Sequence, residues 1–102
     1  MPIEITPDQA RVFSGQLEGL ASGTPYQFPN ADCNRAILGA HPDNVGTSWV
    51  GFETGTLSGD SGFPLMALGP YLAIEGLDNL DFLVATFDVA NDKICWLITR
   101  EL

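Results

Sequence analysis

Ser61 is the one residue of this chain set where a nucleophile would stand. It follows Gly59-Asp60 and precedes Gly62-Phe63-Pro64. A serine in a Gly-rich turn performs acyl transfer when a histidine takes its proton and nearby backbone N–H groups hold the oxyanion. The chain has 1 histidine, His41. It runs into Pro42-Asp43-Asn44, which is turn chemistry and a poor setting for a base. His41 is also alone as a metal ligand, because no Cys or second His stands at ligand spacing. Asp78, Asn79 and Asp81, and later Asp88, Asn91 and Asp92, offer oxygens to Ca²⁺. Neither group has the spacing of a calcium loop, and Asx-type turns account for both. Trp49 and Trp96 are rings of the kind that stack on sugars, but each lies among apolar neighbours in a strand-like run, the pattern of core packing. Cys33 has no base beside it. No catalytic, cofactor-binding or metal residue is therefore assigned, no cofactor is expected, and the chain is read as something other than an enzyme.

The letters around Ser61 imitate the GDSGGP signature of chymotrypsin-like proteases, and their setting does not. That fold needs two barrels, and this chain is less than half the required length. Phe63 stands where the second glycine must let backbone approach substrate. His41 has no Ala-Ala-His-Cys context. The alternative is a Gly-rich corner that sends Phe63 and Leu65 into the core and leaves Ser61 in a solvated loop.

Length and charge narrow the remaining classes. The chain's 102 residues suit a single domain, and 45% hydrophobic content is enough for a core. With 13 acidic against 4 basic residues the net charge is −9, which repels phosphate and argues against a nucleic-acid partner. A DNA mimic would need denser carboxylates along one face. Residues 1–4 show no basic, apolar pattern of a signal peptide, and no apolar run is long enough for a membrane span. Cys33 and Cys95 fit free thiols in a reducing compartment, with one disulfide as the alternative.

Positioning would fall to strands and turns. The 11 glycines and 7 prolines are spread along the chain, and no long helical repeat survives between them. Residues 9–20 read as a strand with Phe13, Gly15, Leu17 and Gly19 on one face and Ser14, Gln16 and Glu18 on the other. A loop over 21–30 holds an extended piece, Tyr26-Gln27-Phe28. Residues 34–40 form an apolar run expected to be buried on both sides. Residues 47–53 form the next strand, and the Pro-Asp-Asn and Gly46 turn chemistry between the two predicts a hairpin. A polar loop spans 54–62. Residues 70–76 and 81–89 alternate, the second with Leu83, Ala85, Phe87 and Val89 on one face. Ala90-Asn91-Asp92 turns the chain into 93–100, where Ile94, Trp96 and Ile98 share a face. Six to eight short strands at this spacing predict an all-β fold, a small β-sandwich of jelly-roll or immunoglobulin-like type, with residues 1–9 as an extended N-terminal arm.

From Arg35 onward the chain resembles a small β domain of tailed-bacteriophage virion accessory proteins. The matching letters are His41-Pro42-Asp43-Asn44-Val45-Gly46-Thr47-Ser48-Trp49-Val50-Gly51, then Ser61-Gly62-Phe63-Pro64-Leu65, then Leu77-Asp78-Asn79-Leu80-Asp81-Phe82-Leu83-Val84-Ala85, then Lys93-Ile94-Cys95-Trp96-Leu97. The match covers about two thirds of the chain and departs at Met66-Ala67-Leu68-Gly69-Pro70, where the family turn is blurred. The resemblance implies a capsid decoration (cement) protein that binds the major capsid protein on the outer surface of the virion, is assembled in the host cytoplasm and is commonly a homotrimer. The alternative is a tail, fibre or carbohydrate-binding receptor module. It implies neither a nucleic-acid nor a membrane partner.

Overall fold

The computed structural model describes residues 10–52 and 62–101. The N-terminal arm, the loop from 53 to 61 and Ser61 with it lie outside the described residues. The rest is two four-stranded antiparallel sheets packed face to face, as the strand pattern predicts. Strands β1 (Ala10–Glu18), β3 (Arg35–Ala40), β6 (Leu72–Glu75) and β8 (Lys93–Glu101) form one sheet in the order β1-β8-β3-β6. Strands β2 (Pro25–Gln27), β4 (Ser48–Gly51), β5 (Phe63–Leu65) and β7 (Val84–Phe87) form the other, in the order β2-β7-β4-β5. The chain therefore behaves as one long hairpin, pairing β1 with β8, β2 with β7, β3 with β6 and β4 with β5, rolled over itself. This is jelly-roll winding, and it decides between the two sandwich types the sequence leaves open.

That winding overturns the expected hairpin at 41–46. β3 pairs with β6 and β8, whereas β4 pairs with β5 and β7. The turn residues carry the chain from one sheet to the other. They do so because two side chains supply the ladder bonds that a hairpin partner would have given. Asn44 donates its amide to the Lys93 carbonyl at 2.7 Å and accepts from the Lys93 N–H at 2.8 Å. The buried Asp92 carboxylate accepts from the N–H groups of Val45 at 3.0 Å and Gly46 at 2.9 Å. Turn chemistry in the sequence thus marks a change of direction without saying which strand comes next to which.

The core lies between the sheets. Phe28, Leu38, Leu65, Leu80, Leu83, Phe87, Ile94 and Ile98 are its largest buried side chains. β3 is covered on one side only: Ala36 and Leu38 are buried and Ile37 and Gly39 half-buried, so the two-sided burial expected for this strand is not found. Central β7 is instead the strand buried on both faces. The expected alternating strand over 81–89 begins as a 3₁₀ turn, Leu80–Phe82, capped by Asn79, and becomes a strand only at Val84. Asn79 accepts from Asp81 N–H at 2.9 Å and from Ala31 N–H at 3.1 Å, binding this turn to the β2–β3 connection. Two glycines are set by close packing. A Cβ on Gly15 would lie 2.5 Å from the Trp96 ring, and one on Gly19 2.1 Å from Phe87. The turn at 66–70 closes with Gly69 N–H donating to the Met66 carbonyl at 2.9 Å, and it holds Leu68 at φ 62.

Candidate functional site

At one end of the β2-β7-β4-β5 sheet, where Gly51 pairs with Val84 and Val50 with Phe63, the sandwich leaves three phenyl rings outside. Phe52 is 64% exposed, Phe82 52% and Phe63 43%. Phe52 sits between two hollows. One, of about 410 Å³, is bounded by Phe63, Leu72, Ile74 and Leu83 and opens between edge strands β5 and β6. The other, of about 350 Å³, is bounded by Pro25, Gln27, Asp81 and Phe82. Rings held on short strands around apolar hollows can bind a protein surface or an apolar chain.

This corrects the expectation for the corner at 62–65. Leu65 is fully buried, but Phe63 is not a core ring. Both point between the sheets; β5, however, is a three-residue edge strand. Its far end lies at the rim of the packed layer, where among the described residues no opposing strand covers the ring. Alternation indicates the face a residue takes and does not indicate how far the opposite sheet extends.

The other sequence candidates do not converge on this end. His41 sits at the opposite corner, where its Nδ1 accepts from Asp43 N–H at 3.1 Å and so caps a turn. Asp88 accepts from the Trp49 indole N–H at 3.1 Å, and Asp92 binds the backbone described above. Asn79 donates to Asn30 Oδ1 at 2.8 Å and lies 3.3 Å from Asp32 Oδ1. Among the described residues no group of three or more His, Cys, Asp or Glu side chains could hold a metal. Cys33 and Cys95 are free. Cys33 is buried and its thiol donates to the Leu77 carbonyl at 3.3 Å. Burial first, and then the carboxylates of Asp32 and Asp78, push this thiol above its ordinary value, which favours its protonated form.

A second cleft, of about 460 Å³, lies on the other open side of the sandwich and was not anticipated from sequence. Phe13, Trp96 and Ile98 form its apolar wall, and Asn30, Asp32 and Arg100 its polar rim. The Arg100 guanidinium stands 5.0 Å over the Phe13 ring and 4.0 Å from the Asp32 carboxylate. The Trp96 indole nitrogen is buried and has no hydrogen-bond partner. Only the alternation of β8 and the small residues opposite it could have signalled this cleft, and neither shows where the sheets part.

No protein-family model matches the sequence, and no curated protein matches it. One solved structure covers 100% of this chain and 99% of its own with a TM-score of 0.55 at 11% identity. It is described by the statement that Bacillus endospore appendages form a novel family of disulfide-linked pili. At that identity the likeness shows the fold alone.

Proposed function

We propose that the chain is a structural subunit of a protein assembly, and that this assembly is a tailed-phage virion in which it decorates the outer capsid surface. The observation that carries the reading is the exposed trio Phe52, Phe63 and Phe82 on a rigid jelly roll. Three rings left in water at one end of a small domain are costly to solubility and suit a surface that another protein covers. The virion and the major capsid protein as partner come from the sequence resemblance. The structural neighbour, a pilus by its description, lends weight only to the broader idea of an assembly subunit. The resemblance also implies three copies. Reconstruction of purified virions tests the reading: a jelly roll of this size with the Phe52 end seated on the shell is the expected result. Particles that lack the chain would sink it.

The cleft at Trp96 favours a second reading, a glycan-binding module. An indole wall with an unpartnered buried N–H, beside Asn30, Asp32 and Arg100, offers stacking and planar hydrogen-bonding groups to a sugar. Titration with a panel of soluble oligosaccharides, followed by the indole N–H resonance of Trp96, tests it. A resonance that none of them moves removes this reading.

A further inference from the structure

We propose that β1 is a self-pairing edge and that two copies of this chain join through it into one continuous sheet of eight strands, antiparallel about a two-fold axis at Ser14. β1 is the outer strand of its sheet and pairs with β8 alone. It runs nine residues, whereas the other three edge strands, β2, β5 and β6, run three or four. Its register with β8 is unbroken from Ala10 to Glu18, so no bulge bends the edge away. The segment ARVFSGQLE contains no proline or lysine, the residues that usually blunt an exposed edge.

The direction of each backbone group follows from the ladder. Gly19 N–H donates to the Asp92 carbonyl at 3.0 Å and Gly19 C=O accepts from Asn91 N–H at 2.6 Å, so both backbone groups of Gly19 face the β8 side. Counting back by twos, Leu17, Gly15 and Phe13 turn their N–H and C=O groups toward β8. On the other side of β8, His41 N–H donates to the Lys93 carbonyl at 3.1 Å, which sends Lys93, Cys95 and Leu97 toward β3 and agrees with that assignment. Val12, Ser14, Gln16 and Glu18 therefore present their backbone groups at the free edge, and among the described residues no strand pairs with them.

These outward residues are self-complementary. An antiparallel copy centred on Ser14 sets Ser14 against Ser14, Val12 against Gln16 and Ala10 against Glu18. Of the two-fold registers, this one leaves no outward group of the strand unused. Charge permits it. The chain carries −9, but β1 holds one Arg and one Glu, and the two Glu18 side chains fall at opposite ends of the joint. Val12 and Leu97, both 37% exposed on the outer face, continue a shallow apolar stripe across it. Main-chain pairing supplies the attraction, as in strand addition to a sheet edge, and the two-fold makes the contact isologous.

The inference deepens the assembly-subunit reading and rests on it, sets two copies where the resemblance implies three, and keeps pairing and capsid binding separately measurable. Sedimentation of the full chain at micromolar concentrations should give a dimer. Amide exchange should show Val12, Ser14 and Gln16 protected in the dimer and increasingly exposed on dilution, with Phe13, Gly15 and Leu17 protected throughout. Ser14→Pro removes an N–H that the monomer's ladder does not use, so the variant should fold with an unchanged circular dichroism spectrum and sediment as a monomer. A monomer or a trimer of the unmodified chain overturns the proposal. So does fast exchange at Val12, Ser14 and Gln16 in the dimer, or a Ser14→Pro variant that still dimerises. Should Ser14→Pro fail to fold, the exchange pattern of the unmodified chain decides alone. A dimer absent from virions keeps the pairing and sinks the capsid reading; a capsid-bound monomer does the reverse.

Discussion

The two ends of the β2-β7-β4-β5 sheet are built on opposite terms. At the end where Ser48 pairs with Phe87, the chain changes sheets twice in a short space, at 41–46 and at 88–92. Polar side chains there take up the backbone: Asn44 on Lys93, and Asp92 on Val45 and Gly46. Gly19 and Gly46 admit Phe87 and Val89 at distances no Cβ would allow. At the far end the strands stop short, and Phe52, Phe63 and Phe82 are left uncovered. A small sandwich can close only as much of its perimeter as its turns can satisfy. The end rich in Asx residues is sealed, and the end rich in phenylalanine is left exposed. Stability should therefore reside at the first end and binding at the second.

The largest expected effect is at the sealed end. Phe87→Ala removes a fully buried ring beneath Gly19 and Tyr26 and should lower stability by about 3–5 kcal/mol in urea denaturation. Asp92→Ala strips a buried carboxylate from two backbone N–H groups and should cost about 3 kcal/mol by the same measure. A loss under about 1 kcal/mol there would show that the corner is held by packing alone.

The open end should respond the other way. Because Phe63 is 43% exposed, Phe63→Ala should cost only about 1–2 kcal/mol, well short of the value for a core ring. Phe52→Ala should cost less still. On the proposed capsid reading both should weaken binding to empty capsids by tenfold or more, which is about 1.4 kcal/mol. A core-sized loss of stability at Phe63, with binding intact, would erase the contrast between the two ends.

Two smaller effects sharpen it. The raised thiol of Cys33 favours the folded state below the ordinary value of 9.0, and that contribution is lost as pH climbs from there toward the folded value. The denaturation midpoint should decline with rising pH in this window, and Cys33→Ala should flatten the decline. Cys95, half-exposed on the outer face, should react with iodoacetamide in the native protein at neutral pH while Cys33 does not. The smallest effect is at Ser61. Ser61→Ala should stay within about 0.5 kcal/mol, and a fluorophosphonate probe should leave the native chain unlabelled. Labelling at Ser61 would revive the acyl-transfer reading.

Sequence alone determined the local properties of this protein. Alternation at 9–20, 70–76 and 93–100 placed three strands and their inward faces, because a side chain's side of a sheet is fixed by the two-residue period of the backbone. Gly and Asx clusters placed the turns, because they set φ and satisfy nearby N–H groups. Tertiary structure decided what depends on which segment lies opposite. The turn at 41–46 has hairpin chemistry, but β3 finds β6 and β8 as partners, and Asn44 and Asp92 replace the missing ladder. Phe63 has the right face for the core and lies past the limit of the layer above it. The Trp96 cleft and the β1 edge that is free among the described residues arise because two sheets part on one side and one strand is outermost. Those are properties of the packing, and no residue near them in sequence encodes which segment lies alongside.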